Sequence, residues 1–269
     1  RDLQPHWRLW GRAAYGTSAP VTRTGTVTTI QNSNQTGSQS VTVPTDATLC
    51  VVMATFWEFN TGWIAANPVT LNGVNLTTLQ KTDDQNANEQ LWLGYLVNPA
   101  TGSQTLAWDW GAAFSEGANI FVVFYKGVDT SNPVVSSGKE ITDLQDLTGL
   151  TAGADDMMVG VVSSYTFPPT SVTDNGQTEL AILGPTNYSY GGFAEKLGGT
   201  GFYFTGGQAT TCAAGVFRGT APAESKIVVA GTANWDFGVV RYNSDGSLDT
   251  TFNPGGLLPP YTAGMVTTE

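Results

Sequence analysis

An enzyme built from this chain would need a nucleophile with a base and an orienting group, or two carboxylates facing each other. The chain contains one histidine, His6, between Pro5 and Trp7 near its start. A Ser-His-Asp site would have to use it, although general bases need rigid positioning. No Gly-x-Ser-x-Gly string occurs. Asp83-Asp84, Asp155-Asp156 and Glu89 with Glu116 are the carboxylate pairs available for glycoside hydrolysis. Neighbouring residues on a strand point to opposite faces, so the two Asp-Asp pairs read as solvated loop residues. The segment 83–89, DDQNANE, offers several hard oxygen ligands for calcium but lacks EF-hand spacing. In NSDGSLD, Asp245 and Asp249 read more simply as turn and capping residues than as cation ligands. No Cys-x-x-Cys accompanies the single histidine, which argues against zinc. The residues therefore point away from catalysis, and no metal or cofactor is expected.

Binding chemistry is better represented. From Arg1 to Arg23 there are four arginines (Arg1, Arg8, Arg12, Arg23) against Asp2, a local charge of +3. Subtracting that +3 from the formal net charge of −11 leaves −14 for the remainder. Trp7, Trp10 and Tyr15 lie in the same segment, and arginine with aromatics is the mixture enriched in interface cores. Arg1, Trp7, Arg8, Trp10, Arg12 and Tyr15 are thus expected to dock the segment onto an acidic, partly apolar partner or another copy of the chain.

Trp57, Trp63, Trp92, Trp108 and Trp110 cluster in the first half. Core packing and sugar stacking compete to explain them. Within FWEFNTGWIAANP, residues 56–68, Trp63 and Ile64 sit among Gly and Asn, so they are expected on a partner surface. Trp92 lies at the phase opposite Leu91 and Leu93, while Trp108 and Trp110 share one phase, so one set is expected to face outward.

These residues must be positioned by strands. Charged residues make up only 12% of the 269 residues and Gly numbers 32, a mixture suited to short strands and many turns. No window reaches the uncharged apolar length of a membrane span, and the start lacks signal-peptide order. Membrane insertion is not expected. Nor is nucleic-acid binding, because a net charge of −11 opposes phosphate.

From Val21 onward, strand-like runs follow one another, bounded by Gly, Pro, Asn or Asp. TLCVVMATF and NIFVVFY are apolar on both phases, which predicts central strands. Asn72-Gly73 predicts a hairpin over 69–79, and Asn175-Gly176 predicts a second one. ITDLQDL, residues 141–147, has the spacing of a short helix or turn. Cys50 and Cys212 lie in strand-like runs far apart, either as buried thiols or as a disulfide. Three Asn-x-Ser/Thr strings, at Asn34, Asn75 and Asn187, are read as incidental.

The boundaries predicted are an arm over 1–23, one β-sandwich over 24–219, a linker over 220–225 and a small β unit over 226–269. The last unit carries Lys226-Ile227-Val228-Val229-Ala230-Gly231, Asp236-Phe237, Val240-Arg241-Tyr242-Asn243, Asp245-Gly246-Ser247-Leu248-Asp249-Thr250, Phe252 and Gly255-Gly256. This resembles one copy of the delta-60 repeat of large secreted bacterial proteins, which implies propeller-like β-structure. One such unit cannot bury both its faces alone.

GSQSVTVPTDATLCVVMATF, VTLNGVNLTTLQ, QLWLGYLVNPATGSQTLAWDW and FVVFYKGVD, in that order, are similar to jelly-roll-like modules of phage structural and secreted bacterial proteins. The resemblance implies an all-β, antiparallel, jelly-roll-like sandwich used in decoration, fibre or adhesion. The expectation is a non-catalytic structural protein of a virion or similar extracellular assembly. Its partners would be other subunits or copies of itself. The alternative is a secreted bacterial adhesin that takes a glycan through the sandwich loops.

Overall fold

A computed structural model of the chain describes residues 19–32, 34–57, 64–82, 89–111, 118–141, 147–165, 167–171, 176–186, 189–205, 208–220, 227–233, 236–243, 247–250 and 265–268. The chain divides into a compact unit from Ala19 to Thr220 and a second unit drawn from the flanking residues.

The larger unit starts from a nested hairpin. β1 (Thr22–Asn32) pairs with β9 (Ala118–Lys126), β2 (Thr36–Val43) with β8 (Gly102–Asp109), and β3 (Leu49–Trp57) with β7 (Glu89–Val97). β4 (Val69–Leu71) pairs with β5 (Val74–Asn75) at the closed end of the nest. Curling brings β3 beside β9 and β4 beside β8. With β6 (Thr77–Lys81) added at an edge, the sheet orders are β1-β9-β3-β7-β6 and β2-β8-β4-β5. That interleaving is the winding of a jelly roll.

The remaining strands make a third antiparallel sheet, ordered β10 (Val134–Glu140), β16 (Gln208–Phe217), β11 (Thr151–Tyr165), β14 (Ser189–Thr200), β13 (Thr178–Thr186). A two-stranded piece joins β12 (Thr170–Ser171) to β15 (Phe204–Thr205).

The two-phase apolar strands explain this stacking. Cys50, Val52, Ala54 and Phe56 of β3, with Ile120, Val122 and Phe124 of β9, pack in one core against Val41, Val69, Leu71 and Leu106 of the four-stranded sheet. The alternate residues Leu49, Val51, Met53, Phe121, Val123 and Tyr125 pack in a second core against Met157, Val159, Val161, Phe193 and Phe217 of the third sheet. A strand apolar on both faces requires cover on both. The unit is therefore a three-sheet stack with β3 at its centre, where one sandwich was expected. The outer face of the third sheet is covered in turn by chain crossing it, with Leu147, Leu150, Phe202 and Phe204 packed on Met158, Val162 and Val216.

The hairpin at Asn72-Gly73 forms as expected, with positive φ at both residues (50° and 78°). Residues 172–175 of the second lie outside the described residues; the strands on either side pair elsewhere, β12 with β15 and β13 with β14. Gln177 instead clamps Tyr203, donating from Nε2 to the Tyr203 carbonyl at 2.7 Å and accepting the Tyr203 N–H at 2.8 Å. Residues 142–146 of the expected helix or turn lie outside the described residues. Cys50 and Cys212 are both buried thiols, in different cores, and are not joined to each other. The disulfide alternative is thereby removed.

In the second unit, β17 (Ile227–Ala233), β18 (Asp236–Tyr242) and β19 (Met265–Thr268) form an antiparallel sheet in that order. Beyond β18, Leu248 bridges back to Tyr242, and the Asn243 N–H donates to the Ser247 carbonyl at 2.8 Å.

Candidate functional site

The strands of the larger unit run between two ends with different contents. At one end Ala19 bridges Thr220, Thr220 donates its N–H to the Gly127 carbonyl, and Val21 donates to the Asp155 carbonyl. Ala19 and Thr220, the first and last residues of the unit, therefore lie side by side at this end. Asp156 fastens the same end by accepting the Gly153 N–H (2.9 Å) and the Gly219 N–H (2.8 Å). Asp156 thus serves as a backbone cap.

The opposite end is set off by the length of β9, roughly 27 Å at ~3.4 Å per residue. There Asn32, Phe56 and Ala118 come into register, as do Trp57 with Glu89 and Tyr165 with Ser189. A polar cluster ties the layers together near this end. Asn119 donates from Nδ2 to the Ser189 carbonyl (3.0 Å) and to Thr55 Oγ1 (3.4 Å), and accepts from Gln31 Nε2 (3.2 Å). Phe167 is 57% exposed, with its carbonyl held by Ser164 Oγ at 2.8 Å.

Arg23, counted above with the arm, lies in β1 directly across from Tyr125. Its Nε sits 3.6 Å from Glu195 Oε1, and the Tyr125 hydroxyl donates to Glu195 Oε2 at 2.8 Å. Burial, and then the neighbouring Glu195 charge, hold the Tyr125 phenol well above its ordinary pKa. This group fastens the central sheet to the third sheet. The charged pair Glu195-Lys196 inside the apolar run SYGGFAEKL was the available sequence signal for it. Lys196, on the other face of β14, donates from Nζ to the Thr200 and Gly201 carbonyls, and burial lowers its pKa.

Of the residues expected to bind partners, Arg1, Trp7, Arg8, Trp10, Arg12, Tyr15 and Trp63 lie outside the described residues. Ile64 is only 2% exposed and belongs to the first core, so it is not a surface residue. The tryptophans correct the outward-face expectation. Trp92, Trp108 and Trp110 are all buried in that core, with Trp110 edge-on to Phe56 at 4.5 Å and to Trp92 at 6.2 Å. Trp92 does point away from Leu91 and Leu93, but the four-stranded sheet covers that face.

An open groove of about 270 Å³ runs between Ser136–Glu140 and residues 147–150. Its lysine, Lys139, donates from Nζ to the Lys81 carbonyl at 2.8 Å. In the second unit Asp249 receives Arg241 Nε at 2.7 Å, so its carboxylate is committed to an ion pair. Among the described residues, no group of three or more His, Cys, Asp or Glu is arranged to hold a metal ion, and no helix is long and apolar enough to cross a membrane.

Residues 225–252 match the family described as "Domain of unknown function (DUF5122) beta-propeller". The match falls on β17, β18 and the Arg241–Asp249 turn. No curated protein matches the chain. No solved structure matches it either.

Proposed function

We propose that the chain is a non-catalytic structural subunit of a virion or similar extracellular assembly. Its basic aromatic N-terminal segment docks on a neighbour, and its jelly-roll-wound unit, akin to phage decoration or fibre modules, is displayed. The observation that carries this reading is the bridge between Ala19 and Thr220. Ala19 and Thr220, which bound the unit, meet at one end of it, while Phe167 is exposed near the other. For the alternative of glycan binding through the sandwich loops, Trp92, Trp108 and Trp110 are buried and offer no stacking surface, which leaves it to the loops themselves. A β-propeller-type repeat following such a unit suits an extended extracellular assembly.

The test is to replace Arg8 and Arg12 with Glu in the full chain and measure sedimentation at low salt. The reading predicts loss of higher-order species with the fold intact by circular dichroism. Unchanged assembly, or release of reducing ends from a polysaccharide panel by the purified chain, would overturn it.

A further inference from the structure

Six strands form the edges of the three main sheets in the Ala19–Thr220 unit. Exposed edges invite pairing with other chains unless bulges, charges, proline or shortness prevent it. Five of the six carry such a device. β1 bulges between Thr24 and Thr28 and carries Arg23. β6 bulges between Thr78 and Gln80 and ends in Lys81. β10 bulges between Val134 and Ser136 and carries Lys139 and Glu140. β13 has two register shifts, Glu179 and Pro185. β5 has two residues.

β2 has none of these. Its eight residues, TGSQSVTV, pair one to one with β8 without a shift, and they include no charge and no proline. Thr36, Ser38, Gln39, Ser40 and Thr42 are exposed. In an antiparallel pair, alternate residues turn their N–H and C=O away from the partner strand. Among the described residues, no further backbone hydrogen bond reaches 36–43 from outside the sheet.

We infer that β2 is a self-pairing edge. Two copies join β2 to β2 antiparallel about a two-fold axis at Gln39, fusing their four-stranded sheets into one of eight strands. The sequence around Gln39 is complementary to itself. Ser38 faces Ser40 and Thr36 faces Thr42 on the outer face, while Gly37 faces Val41 on the inner one, each pair occurring twice. Cross-strand hydroxyl pairs stabilise sheets, and this face already contains one, Ser40 Oγ to Ser103 Oγ at 3.0 Å. The pairing is isologous and closes, as a two-fold contact requires. Each copy carries a formal −11, and β2, which has no charged residue, is a stretch where two copies meet with no like charges directly opposed.

This inference rests on the reading of a self-assembling subunit only in taking another copy as partner. It is tested apart from the N-terminal segment. In the full chain, Gln39→Cys places two thiols at the axis, where opposed Cβ atoms lie about 4.5–5.5 Å apart. Mild oxidation is predicted to give a covalent dimer, whereas Thr70→Cys, on the interior strand β4 two strands from the edge, does not cross-link. Ser38→Lys with Ser40→Lys sets lysines opposite each other and is predicted to raise the dimer dissociation constant at least about tenfold in sedimentation equilibrium. A wild-type chain that stays monomeric, equal cross-linking at positions 39 and 70, or a dimer indifferent to the two lysines would overturn the inference.

Discussion

Glu195 shows how one buried carboxylate decides the register between two sheets. It is 8% exposed and holds the Tyr125 hydroxyl at 2.8 Å. Removing the acceptor leaves a buried donor unmet, so Glu195→Ala is expected to cost about 1–3 kcal/mol. Glu195→Gln keeps an acceptor and should cost less than about 1 kcal/mol, because the Arg23 side chain, 37% exposed, is screened by water. Urea denaturation of the two variants measures the difference, and equal losses would show that the hydroxyl bond is not what matters. The phenol gives a pH signature. Its folded pKa is raised above its ordinary value of 10.0, so its contribution is fully present below that value. It is lost as pH climbs from there, because the unfolded chain releases the proton first. Tyr125→Phe should therefore lose less stability than wild type between about pH 8 and about pH 11.

At the scale of elements, the turn residues and the two-phase strands carried most of the readable information. Gly73, at φ 78°, occupies a conformation that a Cβ disfavours. Gly73→Ala is predicted to cost about 1–2 kcal/mol even though nothing would clash with the added methyl. A thermal melt checks this, and an unchanged midpoint would mean the turn relaxes. Around Asn175-Gly176, where residues 172–175 lie outside the described residues, the flanking strands take distant partners: β15 for β12, β14 for β13, and Tyr203 for Gln177. The full burial of TLCVVMATF and NIFVVFY was legible, and their interior positions in the central sheet follow from it. What covers each face was not legible. Period-two patterning says that Trp92 points away from Leu91, but not that another sheet waits there. That is why Trp92, Trp108, Trp110 and Ile64 looked available for a ligand and are instead core. The Arg23-Glu195-Tyr125 group was hidden for the same reason, since its members are 70 or more residues apart along the chain except through the β1–β9 register.

At the scale of the whole molecule, all three cores lie between Val21 and Phe217, inside one compact unit. A fragment of residues 19–220 is accordingly predicted to fold alone and to unfold cooperatively with the same midpoint as the corresponding transition of the full chain. A fragment that exposes its cores to a hydrophobic dye would contradict this. Within that unit Ala19 and Thr220 meet at one end and Phe167 is exposed near the other, and the proposed docking role builds on this polarity. Its most direct measurement is the mass of the full chain and of a chain lacking residues 1–18, by light scattering at low and at high salt. The segment removed carries Arg1, Arg8 and Arg12 against Asp2, so its contacts are screened as the Debye length shrinks. The account predicts salt-sensitive assemblies from the full chain and, at every salt concentration, nothing beyond the β2-paired dimer from the shortened one. Assemblies that persist undiminished without residues 1–18 would contradict it.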